Sequence, residues 1–187
     1  MPTAGDVLQI GDEIDFDHET ENCVSVSFLP LDFFDFWERG SLLSNFIADY
    51  FMHNFPDDAA QNLISTVLNE LIENAVKFTR NNSMPIKITL KKRREELLIR
   101  AENALPMHRK NSFVAICRQL FEKNLDEMYI ERINKNIEDP TSSGIGLILI
   151  KKDYCAGLHF RFYTDDRNNA HVAVTVKLDI NGLRDKK

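Results

Sequence analysis

Cysteine, glycine, proline, positive charge and long apolar runs are all in short supply in this chain of 187 residues. Its three cysteines, Cys23, Cys117 and Cys155, lie far apart with no C-x-x-C pair, which suits a reducing compartment and excludes both a disulfide framework and a cysteine zinc site. Seven glycines and six prolines are scattered, with no repeat and no low-complexity segment. No apolar run approaches the roughly 18 residues that span a bilayer, and no basic-apolar signal opens the chain, so a cytoplasmic protein without a membrane partner is expected. Lys and Arg number 23 against 29 Asp and Glu, a formal net charge of -6, which argues against a nucleic-acid surface. The one basic block, Lys91 to Arg94, runs straight into Glu95 and Glu96 and reads as a solvated hairpin turn.

What is present is enough for one globular core, with 43% hydrophobic and 28% charged residues. Residues 1–21 are acidic and weakly patterned, and read as a loose leader; residues 22–187 read as a single domain. Cys23 to Phe28 alternates as a strand does. From Asp32 to Asn54, Phe33, Phe36, Trp37, Leu42, Phe46 and Tyr50 recur at helical steps and read as core, with a partner surface as the other option, while Gly40 is expected to bend the helix. A second helix opens at Pro56-Asp57-Asp58, with either aspartate as cap, and ends near Thr79. Two alternating hairpins follow, over 85–101 and 158–176, separated by helical stretches that start after Ser112, at Leu125 and after Gly146, the last of them closed by Gly157. The order predicts an α+β fold with helices on one face of a mostly antiparallel sheet.

Two features carry chemistry. At helical spacing Thr66, Glu70, Asn74 and Lys77 form a polar stripe beside the packing face Leu63, Val67, Leu71 and Ala75. An amide oxygen is a neutral hard ligand for Mg²⁺, a carboxylate one turn away can take a proton from a hydroxyl, and a lysine adds charge for phosphate. The second feature is Thr141-Ser142-Ser143-Gly144-Ile145-Gly146, small residues feeding a helix whose free N–H groups favour an anion. It is neither a Walker A loop nor a dinucleotide fingerprint. Taken singly, each also suits a plain surface stripe and a plain helix start. None of His18, His53, His108, His159 or His171 is assigned a role.

Together, in this order, the two features resemble the GHKL ATPases, the superfamily of histidine kinases, anti-sigma-factor serine kinases and gyrase B. Glu70 to Thr79, ELIENAVKFT, resembles the N box, and Ser142 to Tyr154, SSGIGLILIKKDY, resembles the G2 box. The resemblance covers about residues 22 to 180 and implies a Bergerat-type sandwich. Where the family's D-x-G-x-G box should follow the first hairpin, this chain has Ala101-Glu102-Asn103-Ala104-Leu105-Pro106, without a glycine. That segment, the helices around LDEMYIERI and the GxG loop are most similar to the SiaB-type branch, serine kinases and regulators paired with small STAS-domain proteins.

The resemblance implies ATP and Mg²⁺ as cofactors, a STAS-domain partner and a homodimer. It implies Glu70 as catalytic base, Asn74 as metal ligand and Lys77 at the phosphates. Ser142, Ser143, Gly144 and Gly146 would cradle the phosphates, with Glu102 and Asn103 on the adenine side. The competing expectation is a degenerate module of the same fold that sequesters a regulatory protein without turnover.

Overall fold

The computed structural model describes residues 7–18, 20–34, 38–52, 58–79, 83–138, 145–154 and 156–179. The expectations that rest on Phe36, Trp37, His53, Pro56, Asp57, Ser142, Ser143, Gly144 and Cys155 lie outside the described residues.

Among the described residues six strands form one sheet: β1 (Leu8–Gly11), β2 (Asn22–Phe28), β3 (Ile86–Arg93), β4 (Glu96–Ala104), β5 (Gly157–Thr164) and β6 (Ala170–Asp179). Their order across the sheet is β1-β5-β6-β4-β3-β2, and every pairing is antiparallel. The two-residue alternation of the strands puts Leu90, Ile99, Val176 and Leu158 in one registered row and Ile88, Ala101, Val174 and Phe160 in the next, all on one buried face. On that face lie α1 (Leu31–Phe34), α2 (Glu38–Met52), α3 (Asp58–Phe78), α4 (Met107–Glu122), α5 (Leu125–Glu138) and α6 (Ile145–Asp153). The expected α+β layout, helices on one face of an antiparallel sheet, is the observed one.

The central helix is α3. Its apolar residues fall at three- and four-residue steps, and Val67, Leu68, Leu71, Ile72 and Val76 are all fully buried against β3 and β4. It ends at Thr79, whose backbone N–H donates to the Ala75 carbonyl at 3.1 Å and whose hydroxyl donates to the same carbonyl at 2.6 Å. Beside it, α2 packs in antiparallel fashion, joined by a polar ladder of Ser41 to Asn69, Asn45 to Ser65 and Asp49 to Gln61. On its other flank stand α6 and, through a Phe78–Phe113 ring contact at 4.3 Å, α4.

Several expectations are corrected. The stretch over 1–21 is not a loose leader throughout, because Leu8–Gly11 pairs with β5 as the edge strand β1. At its end Gly11 has φ +106, and a Cβ there would overlap the Leu158 carbonyl and the Phe121 ring. The following residues cross the outer face of the sheet. There Phe16 is buried, with the Arg100 guanidinium 3.7 Å and the Lys91 ammonium 4.7 Å from its ring centroid.

Lys91 also donates to the Phe16 carbonyl at 2.9 Å, Lys92 meets Glu21 at 3.2 Å, and Arg93 donates to the Asp15 carbonyl at 3.4 Å. The basic block is therefore not a solvated turn. Its first three residues belong to β3 and grip the acidic segment, and the turn itself is only Arg94 and Glu95, with Arg94 at φ 53. Gly40 lies inside α2 without interrupting it, since Phe33 packs where a side chain would project. Ser112 is no cap: α4 starts five residues earlier, after Pro106, and the Ser112 hydroxyl donates to Arg109 within the helix. Gly157 begins β5 and does not close α6.

Of the aromatic stripe, Phe33 is core, as expected. Leu42, Phe46 and Tyr50 are exposed. The buried face of α2 is instead Ser44, Ile47, Ala48 and Phe51, so this helix carries apolar residues on two sides.

The second hairpin turns at Asp165, whose carboxylate accepts from the backbone of Arg167 and Asn169, from the Asn169 amide and from His171. These donors hold its carboxyl well below the usual range.

Phe16 gives a direct test of the crossing segment. Phe16→Ala should lower unfolding free energy by about 3 kcal/mol, the ordinary cost of emptying a buried aromatic site. Denaturant titration checks it, and an unchanged midpoint would mean the segment is not docked.

Candidate functional site

The flank of α3 that meets α6 is where the polar residues converge. Glu70 and Asn74 lie one turn apart there, just outside the buried sector. Gly146, the second residue of α6, faces Glu70 so closely that a Cβ built on it would stand 2.7 Å from the carboxyl carbon. A side chain there would have to displace the Glu70 carboxyl from where it stands. Burial pushes the Glu70 carboxyl above its ordinary value, the nearby Glu73 adds to the rise, and Lys77 opposes it. A carboxylate made more basic in this way is a better proton acceptor than an exposed one.

One turn on, the Asn74 amide nitrogen is buried with no hydrogen-bond partner among the described residues. It borders a closed cavity of about 10 Å³, room for roughly one water. Asn103 lines the same cavity from β4, along with Leu71, Phe78, Phe113 and Leu147. Asn103 is buried, and its amide nitrogen donates to the Ala104 carbonyl at 3.0 Å.

The alternation of β4 separates the two residues expected on the adenine side. Asn103 follows Ile99 and Ala101 onto the helix-covered face, whereas Glu102 lies on the outer face, opposite Lys87 and Ala173. There its charge acts on Arg100 and on Tyr163, whose hydroxyl is pushed up first by burial and then by Glu102. Glu102 is thus not brought to the Glu70–Asn74 flank. Nor is Lys77 turned toward Gly146: its ammonium pairs with Glu73 at 3.2 Å, in an open groove lined by Glu38, Ser41 and Glu73 on the α2 side.

Of the expected site residues, then, Glu70, Asn74, Asn103 and Gly146 are brought together, and Lys77 and Glu102 are not. Phe78, Phe113 and Leu147 wall the site; Phe78 and Leu147 lie inside the two matched segments, whereas Phe113 carries no signal in sequence, because its contacts join segments far apart in the chain.

No family model and no curated protein matches the sequence. Among solved structures, the fold is similar to that of a chain in the SiaB-SiaC complex from Pseudomonas aeruginosa, with a TM-score of 0.59 at 11% identity. The match covers 85% of this chain and 91% of that chain. At that identity the likeness is one of fold. Among the described residues no helix is long and apolar enough to cross a membrane, and no cluster of His, Cys, Asp and Glu is arranged to hold a metal unaided.

A Mg²⁺-nucleotide fits these residues at one end only. The Asn74 amide offers a hard oxygen, its buried nitrogen lacks an acceptor, and the start of α6 stands alongside. The base end does not fit the conformation seen. Ligand pockets run to about 300 Å³ or more, and the cavity that Asn74 and Asn103 line together with Phe78 and Phe113 holds only about 10 Å³ among the described residues.

The raised Glu70 carboxyl has a signed consequence. A group whose folded-state pKa exceeds its unfolded value favours the fold when protonated, and that contribution is lost as pH rises through the folded value. Glu70→Gln should therefore melt above the parent protein at pH 7, with the gap closing as pH falls below the ordinary carboxylate value of 4.5. Melting curves of both proteins across that range check it; a gap independent of pH would contradict the assignment.

Proposed function

We propose that this chain is a bacterial signalling regulator of the SiaB type that works by binding a small STAS-type protein, and that the Glu70–Asn74 flank makes it a Mg²⁺-ATP-dependent serine kinase for that partner. The observation that carries the chemistry is Glu70, a half-buried carboxylate with raised basicity that stands against Gly146 in the first turn of α6. A shared fold with a chain from a two-protein complex supports the partner-binding half of the reading.

Asn74 and the first turn of α6 would hold the Mg²⁺-nucleotide, which when bound would supply the phosphoryl group, the new bond to the serine oxygen replacing the one to the β-phosphate and ADP leaving. Glu70 orients the partner's serine hydroxyl and accepts its proton at a carboxylate oxygen. Asn74 offers its amide oxygen to the metal. Gly146, lacking a side chain, leaves room for the Glu70 carboxyl in the first turn of α6, beside the backbone N–H groups that would face phosphate. Lys77, held by Glu73, serves the field around the site more than direct contact.

A second reading has its own observation. Phe113 packs on Phe78 over the place where a base would lie, and Asn103 stands where the resemblance expects a carboxylate. Those features favour a module that binds its partner without turnover.

Calorimetric titration of ATP with and without Mg²⁺ distinguishes the two. The kinase reading expects Mg²⁺-dependent binding that Asn74→Ala weakens. It also expects phosphoryl transfer to a STAS-domain protein that Glu70→Gln slows by on the order of a hundredfold while ATP still binds. Absence of nucleotide binding, with a STAS-domain protein still captured, would establish the binding module instead.

A further inference from the structure

The face of the sheet away from the helices is crossed by the segment that carries Phe16, and beside that segment an open cleft of about 450 Å³ remains among the described residues. Small-molecule sites span about 300 to 1,000 Å³. Ile14 and Phe16 give the cleft an apolar side, and Gln9, Arg100, His159 and Arg161 give it a polar one. None of these residues belongs to the Glu70–Asn74 flank, which lies on the opposite, helix-covered face.

The register of the sheet explains how the polar groups meet. Gln9 lies opposite Arg161 and Gly11 opposite His159 across β1 and β5, while His159, Thr175 and Arg100 form one row across β5, β6 and β4. Arg100 leans over β6 toward the far end of that row, its Nε donating to the Thr175 hydroxyl at 2.9 Å. Its side chain is only 11% exposed, and its guanidinium carbon lies 3.7 Å from the Phe16 ring centroid. Arg161 stands 5.3 Å from the Tyr163 ring centroid and has no acceptor among the described residues. His159 is committed through Nδ1 to the Asp12 carbonyl at 2.8 Å.

The negative charges nearby do not satisfy these donors. Asp15 lines the cleft and pairs with His18 at 2.8 Å. Asp17 lines it too and reaches Arg100 only to 3.8 Å, too long for a hydrogen bond, with a side chain 84% exposed. Burial pushes the Arg100 guanidinium below its ordinary value; Glu102 and Asp17 oppose that, and the charge of Arg161 adds to it. Two guanidiniums are therefore close enough to repel, one of them largely withdrawn from water, and Asp17 marks the place of an anion without filling it.

We propose that this outer-face cleft binds a small phosphate monoester carried on an apolar or aromatic body, at a site separate from the Glu70–Asn74 flank. Arg100, Arg161 and the Gln9 amide hold the phosphate, and the body lies against Phe16 and Ile14. A phosphate suits the place better than a carboxylate for two reasons. The donors come from three strands, β4, β5 and β1, which matches three terminal oxygens better than two, and two permanent cations match a dianion.

The test is an NMR titration of the full chain, at constant ionic strength, with phenyl phosphate, benzoate and inorganic phosphate. Phenyl phosphate should bind in the millimolar range or tighter and shift the backbone amides of β1, β5 and the stretch of β4 around Arg100. Benzoate has one charge and two oxygens, and inorganic phosphate has no ring to lay on Phe16, so both should bind more weakly. Arg161 is exposed, so Arg161→Gln should leave the melting temperature near the parent while affinity for phenyl phosphate falls about tenfold, the worth of a charge-assisted hydrogen bond. Asp17→Asn should act in the opposite direction and tighten binding about threefold, by removing the carboxylate that competes for Arg100. Asn74→Ala, on the other face, should leave the affinity unchanged. No binding of phenyl phosphate, shifts confined to the flank between α3 and α6, an affinity untouched by Arg161→Gln, or either control ligand binding as tightly as phenyl phosphate would overturn the proposal.

Discussion

Everything in this fold is referred to the way α3 lies on the sheet. Val67, Leu68, Leu71, Ile72 and Val76 are wholly withdrawn from water against β3 and β4. At about 1.5 to 3 kcal/mol for each such side chain, that burial fixes the rotation of the helix about its axis. With rotation fixed, the remaining positions have no freedom. Glu70 and Asn74 fall toward α6, Asn69 and Ser65 toward α2, and Glu73 and Lys77 toward solvent between them. A stripe of four polar residues that looks continuous on a helical projection is thereby divided. Glu70 and Asn74 are drawn to a glycine and a buried cavity, while Lys77 is committed to an ion pair.

This division shows where the sequence is legible and where it is not. The alternation of β3, β4, β5 and β6 and the periodicity of α3 are written in side chains that bury on one face, so those elements could be located from pattern alone. The same alternation separates Glu102 from Asn103: Leu97, Ile99 and Ala101 set the parity of the buried face, and Asn103 shares it. Other features lack any local signal. β1 is only four residues long and owes its strand conformation to pairing with β5. Phe16 is a single aromatic in an acidic stretch, and its burial depends on Lys91 and Arg100, which are remote in sequence. In α2 the ambiguity is of another kind. Ile47, Ala48 and Phe51 have the periodicity of a core face, and Leu42, Phe46 and Tyr50 have it equally. Periodicity reports a stripe without saying what lies across from it.

The charges of the molecule are arranged in the same referred manner. The surplus of acid is concentrated early in the chain, and the one basic block lies on β3 and meets it through Lys91, Lys92 and Arg93. The ion pairs involved are partly exposed and individually worth little. Their service is to lay Phe16 on the outer face, where its burial is worth considerably more. By contrast the Glu70 carboxyl is pushed up by burial and then by the charge of Glu73, while Lys77, paired with Glu73, only partly opposes the rise.

The pairing of β1 with β5 also bears on how the chain is made. Leu8 lies opposite Phe162, so one edge strand leaves the ribosome roughly 150 residues before the strand it pairs with, an interval of about 10 to 30 seconds at ordinary rates of synthesis. The hairpin of β3 and β4 and the tight turn at Asp165 close over short loops and can form as they emerge. Leu8 and Ile10 have to wait in the open until β5 exists. The earliest-made strand of this sheet is therefore among the last to join it, and the solubility of the nascent chain during that wait falls to the acids at Asp12, Glu13, Asp15 and Asp17.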